Sequence, residues 1–100
     1  MHTETRGDIL FITDITDLGA SHAPLFKELA RNCLEEKHRH LEADFASVRF
    51  VDSVGLGALL SVHKRLCERQ SRLRLINPSK MVHQFMQMLH MDQVFEIVLR

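Results

Sequence analysis

The sequence predicts an α/β domain: a largely parallel or mixed sheet with helices packed over it. Three observations carry that expectation. Short β-rich runs alternate with amphipathic stripes in the order strand, helix, strand, helix, strand, helix, strand. The 100 residues are enough for one domain, residues 1–100, with a single modest core. Apolar residues make up 45% and charged residues 26%, a balance that argues against disorder.

The first strand is expected over "DILFI" (8–12). "TDITDLG" then supplies turn chemistry before "ASHAPLFKELARNCLEEKHRH". Within that segment Leu25, Phe26, Leu29, Ala30, Cys33 and Leu34 form a helical stripe, with Pro24 near its start, where a missing N–H costs nothing. "HLEADFASVRFVD" (40–52) reads as a strand, a short polar break and a second extended piece. From Val54 to Arg69 the period returns to helix, with Leu56, Leu59, Leu60, His63, Leu66 and Cys67 on one side. "RLRLIN" (72–77) alternates as a strand with one solvated face does. Asn77 and Pro78 read as the N-cap and first turn of a third helix, which buries Val82, Phe85, Met86 and Leu89. "VFEIVL" (94–99) closes the series as a strand.

Thirteen basic and thirteen acidic residues cancel, so the whole-chain charge gives no support to nucleic-acid binding. Apolar runs are far too short to span a bilayer, and "MHTETRGDIL" lacks the apolar stretch of a secretory signal. A cytoplasmic chain with no direct membrane insertion is expected. Cys33 and Cys67 make neither a disulfide framework nor a CxxC site and are expected to be small buried hydrophobes. His38 and His40 form an H-x-H pair without further ligands at zinc spacing, and His83 and His90 share a helix face two turns apart. Among Met81, Met86, Met88 and Met91, Met88 is the one expected to be exposed. No metal or cofactor is called for.

The informative stretch is "FVDSVGLGALLSVHKRL" (50–66), where an apolar run meets a helix across Asp52, Ser53, Gly55 and Gly57. A hydrolase elbow needs G-x-S-x-G, but Val51 stands at the leading glycine position. Gly55 and Gly57 supply two glycines of GxGxxG, yet Leu60 occupies the third position and no GK[ST] follows. Asp52 and Ser53 are both good N-cap types, so a plain capping role for Ser53 stays open. A phosphate on Ser53 would add roughly −1.5 to −2 charges at the positive end of the helix dipole, which the fold tolerates and a docked partner need not.

"VRFVDSVGLGALLSVHKRL" resembles the D-S-[ST]-G-L-G signature of STAS domains, in particular the single-domain anti-sigma factor antagonists. "GDILFI", "LEADFASVRFVDS" with Asp44 at its acidic position, and "LRLINPSKMVHQFMQMLHMDQVFEI" fit the family's flanking segments in order. The resemblance implies a STAS fold, a mixed and mostly parallel sheet of four to five strands with three to four helices. It implies Ser53 as phosphoacceptor, and Asp52, Ser53, Val54, Gly55, Leu56 and Gly57 as the docking turn, with Asp17 as a further contact candidate; Lys64, on the charged face of the helix, is a contact candidate by its position along that helix. The implied partners are an anti-sigma factor that is also a GHKL-type serine kinase, and a PP2C-type phosphatase. The kinase supplies ATP and magnesium, so the chain itself is a binding module without enzymatic activity. Two departures stand out: Val54 replaces the usual second hydroxyl residue, and Asp14 occupies a place where the family often has glycine. The rival expectation is a STAS subunit of a membrane transporter, of the lipid-asymmetry ABC type, that stabilises its complex without phosphorylation.

Overall fold

A computed structural model describes residues 1–100. The chain runs β1 (His2–Arg6), β2 (Ile9–Thr13), α1 (Ala23–Cys33), β3 (His40–Asp44), α2 (Ser53–Cys67), β4 (Arg74–Ile76), α3 (Lys80–Met88), a 3-10 turn (Met91–Gln93) and β5 (Glu96–Val98). The five strands lie in the sheet in sequence order; β1 and β2 are antiparallel, and every other neighbouring pair is parallel. Each parallel step crosses through one helix. Right-handed crossovers that always step the same way lay all three helices on one face.

The register shows that face. Ile12, Ala43, Leu75 and Ile97 stand side by side across four strands, and the first three are buried beneath the helices. They belong to one core of 21 buried residues that includes Leu10, Phe26, Leu41, Leu59, Leu66 and Phe95. The opposite row reads Phe11, Glu42, Arg74 and Glu96. Glu42 is nonetheless only 1% exposed, because Arg74 Nη1 and Arg100 Nη2 donate to its Oε2 at 3.1 and 2.9 Å. A buried carboxylate needs such partners to offset its desolvation.

Several expectations are corrected. β1 was absent from the predicted order: its five residues, HTETR, are all exposed and polar, and they pair only because Gly7, at φ +60°, turns the chain back. The first helix stops at Cys33, where Leu34 turns extended, well short of His40. In the second half of 40–52 only Val51 pairs, as a single bridge to Leu18. α2 buries Gly55, Ala58, Leu59, Val62 and Leu66, so Leu60 and Cys67 point outward, and Cys33 is only half-buried. α3 is capped by Ser79, whose Oγ accepts from the Val82 N–H at 3.2 Å. Asn77 instead takes a left-handed turn and accepts from the Arg100 N–H at 2.7 Å. Leu25 and Leu89 are exposed and Phe85 is half-buried, whereas Met88 is exposed as expected.

Two histidines serve the fold. His38 is fully buried; its Nδ1 accepts from the Glu35 N–H at 2.9 Å, which leaves the Nε2 proton to bond Thr5 Oγ1 at 2.9 Å and tie β1 down. His63 Nδ1 accepts from the Leu73 N–H at 3.2 Å. Burial is the leading cause that lowers both pKa values below 6.5, assisted at His63 by Arg72 and opposed at His38 by Glu35. Both rings are therefore neutral in the native state, and the unfolded state takes up protons first as the pH falls. Stability is full above the unfolded value of about 6.5 and declines below it. Thermal unfolding should show a lower Tm at pH about 5.5 than at about 7.5, where carboxylates hardly titrate. A His38→Gln variant should be less stable but show a shallower decline.

Candidate functional site

The site forms where the β2–α1 connection meets the start of α2. The Leu18 N–H donates to the Phe50 carbonyl at 2.9 Å, and the Asp52 N–H donates back to the Leu18 carbonyl at 3.4 Å. This parallel bridge lays one loop against the other. Asp52, in extended conformation, is the N-cap. Its Oδ1 accepts from the Gly55 N–H at 2.9 Å, and its Oδ2 accepts from the Ala20 N–H at 3.0 Å. One carboxylate thus caps α2 and staples the neighbouring loop to it. Asp17 fixes that loop from its other side: Oδ1 accepts from the Gly19 N–H at 3.2 Å and lies 2.9 Å from His22 Nδ1.

Ser53 is therefore not the cap. It is the first helical residue, exposed, and its hydroxyl enters no hydrogen bond within the chain. Asp52 spends both oxygens on backbone N–H groups, so its effect on Ser53 is electrostatic rather than a direct bond. His63, ten residues on, is committed elsewhere: it accepts from the Leu73 N–H on one side and lies 3.2 Å from Cys67 Sγ on the other.

The two glycines separate by role. A Cβ on Gly55 would overlap the carbonyl oxygen of Leu18, whereas one on Gly57 would meet nothing within 4 Å. Gly55 is what allows α2 to approach the β2–α1 connection; Gly57 is simply open surface. Asp14 sits at φ 57°, the left-handed conformation that glycine adopts freely.

Ser53, Gly57, Leu60 and Lys64 are all exposed, and their spacing of four, three and four residues lines them along one side of α2. Lys64 lies about 16 Å from Ser53 along the axis at ~1.5 Å per residue. Val54 (48% exposed) flanks Ser53, and Leu56 is half-buried beside it. The arrangement also brings in Phe50, which the sequence did not single out, and Met81, which was expected to pack inward and is exposed instead. Phe50 (52% exposed) and Met81 (73% exposed) border a shallow apolar cleft of about 140 Å³ floored by Val51, Val82 and Phe85.

Comparison with known proteins follows this geometry. A family model described as the STAS domain matches residues 1–100. A search of curated proteins finds no match. Among solved structures, a candidate anti-sigma factor antagonist of Thermotoga maritima, TM1081, superposes with a TM-score of 0.85 at 17% identity, over 97% of this chain and 84% of its own. The Bacillus cell fate determinant SpoIIAA in its phosphorylated form gives 0.73 at 17% identity, over 97% and 89%. Unphosphorylated SpoIIAA, an anti-sigma factor antagonist, gives 0.71 at 18%, over 99% and 86%. The murine anion transporter Slc26a9 contains the same fold, with a TM-score of 0.71 at 16% identity over 96% of this chain but 17% of the transporter. No helix here is long and apolar enough to cross a membrane. The whole-length match to the family model, on the fold these structures share, makes this chain a member of the STAS domain family.

Proposed function

We propose that the chain is an anti-sigma factor antagonist in a partner-switching pathway. The unmodified domain binds an anti-sigma factor that is a GHKL-type serine kinase and so frees the kinase's target. Phosphorylation of Ser53 ends the complex, and a PP2C-type phosphatase restores it. The observation that carries this reading is the free hydroxyl of Ser53: the capping work is done by Asp52, leaving an exposed serine with no structural duty at the end of a helix. A helix N-terminus accommodates added negative charge, so the switch acts on the interface and spares the fold. The docking turn runs from Asp52 to Gly57: Ser53, Val54, Leu56 and Gly57 offer the surface, Asp52 holds it to the neighbouring loop and Gly55 seats it against Leu18 from beneath, with Asp17 holding the adjoining loop and Lys64 farther along the same helix side.

Intact mass spectrometry tests the site. The protein and a Ser53→Ala variant are incubated with ATP, magnesium and a GHKL serine kinase from the same genome. A single added phosphate on the unsubstituted chain and none on the variant is the expected result. A folded protein that takes no phosphate from any such kinase would favour the transporter-subunit role instead.

A further inference from the structure

Lys27, Ala30 and Arg31 of α1 face Ser61, Val62 and Arg65 of α2 across a cleft of about 40 Å³. Its floor is apolar: Ala30 and Val62 are buried, as is Leu34 at its end. Its rim is cationic, and no carboxylate lines it. Arg31 reaches Glu28 on its own helix at 3.2 Å, but Lys27 and Arg65 enter no ion pair. The Arg65 Nη1 atom is shut away from water and has no acceptor within the chain. An unpaired buried donor on a charged group is costly, and a planar guanidinium is the side chain best shaped to take a carboxylate.

We propose that this α1–α2 cleft is a second docking point, which receives an acidic side chain carried next to an apolar one on a partner protein. The carboxylate meets Lys27 and the water-facing edge of the Arg65 guanidinium, Ser61 offers a hydroxyl, and the apolar neighbour rests on the aliphatic stems of Lys27, Arg31 and Arg65 that line the cleft above Ala30 and Val62. Size favours a protein-borne group over a small cofactor. The centre of a water-sized group can move over only about 40 Å³ of the cleft, which suits the tip of one side chain and not a nucleotide or an acyl chain. Ser61 and Arg65 lie roughly 12 and 18 Å along α2 from Ser53, so this contact is separate from the serine and stands or falls without it.

The test is titration of the ¹⁵N-labelled protein, followed by amide NMR shifts, with a capped leucine–glutamate dipeptide, its leucine–glutamine counterpart and butyrate. Shifts confined to the facing sides of α1 and α2, at least about tenfold weaker for the glutamine peptide, are expected. The same loss is expected in Arg65→Gln and in Lys27→Gln, with dispersed spectra showing that both variants remain folded. No localised shift at millimolar peptide, or equal binding of the two peptides, would overturn the proposal. So would binding that survives in both variants. Butyrate binding as tightly as the glutamate peptide would assign the cleft to a free carboxylate and overturn the protein partner.

Discussion

Replacing Gly55 by alanine should cost about 3 kcal/mol of stability, at the upper end of what an added methyl does in a packed site. The new Cβ would occupy the position of the Leu18 carbonyl oxygen, and a backbone atom cannot step aside as a side chain can. Either α2 retreats or the β2–α1 connection does. Both movements break the Leu18–Val51 bridge and pull Ala20 from the Asp52 carboxylate. Gly57→Ala is the matched control: with open space around it, the substitution should stabilise by about 0.5–1 kcal/mol through helix propensity alone. Denaturant unfolding of the two variants measures the difference. Equal effects would mean that the approach of α2 to Leu18 is not what Gly55 provides. Gly57→Ala also probes docking, because a methyl on the exposed side of α2 weakens binding only if a partner covers it.

A phosphate on Ser53 should lower affinity for the anti-sigma partner by about 100-fold, within the 1–3 kcal/mol range of typical coupling energies. The modification adds roughly two negative charges beside Asp52, in the middle of the proposed contact. Its neighbours Phe50 and Val54 are exposed apolar groups, so a docked partner would have to bury that dianion against apolar surface. The fold has no such difficulty. The dipole of α2 favours the anion, and the Ser53 hydroxyl gives up no internal hydrogen bond when esterified.

Alternation of apolar runs and stripes made the architecture legible in the sequence, because buried strands and amphipathic helices leave periodic traces. Strand β1 left none: His2 to Arg6 are polar and exposed, and they gain their place by backbone pairing with β2 across the Gly7 turn and by the His38 bond to Thr5, neither of which shows as hydrophobic periodicity. The rotation of α2 was misjudged for a related reason. Gly55 and Ala58 are the residues that face inward at its start, and small side chains carry little weight in a hydrophobic count although close packing depends on them. Leu60, expected on the same helix side as Leu59 and Leu66, is turned outward by that packing. At the junction itself, Asp52 and Ser53 were equally plausible caps. Only the coordinates show both Asp52 oxygens occupied and the serine free. Lys64 falls on the same helix side as Ser53, which the helical period allowed but did not single out.

The switch is tested most directly by isothermal titration of one partner kinase with the unmodified chain and with the chain phosphorylated at Ser53, alongside the Tm of each form. Tight binding of the unmodified chain, about 100-fold weaker binding of the phosphorylated one and no drop in Tm are expected. Equal affinities for the two folded forms would contradict the switch.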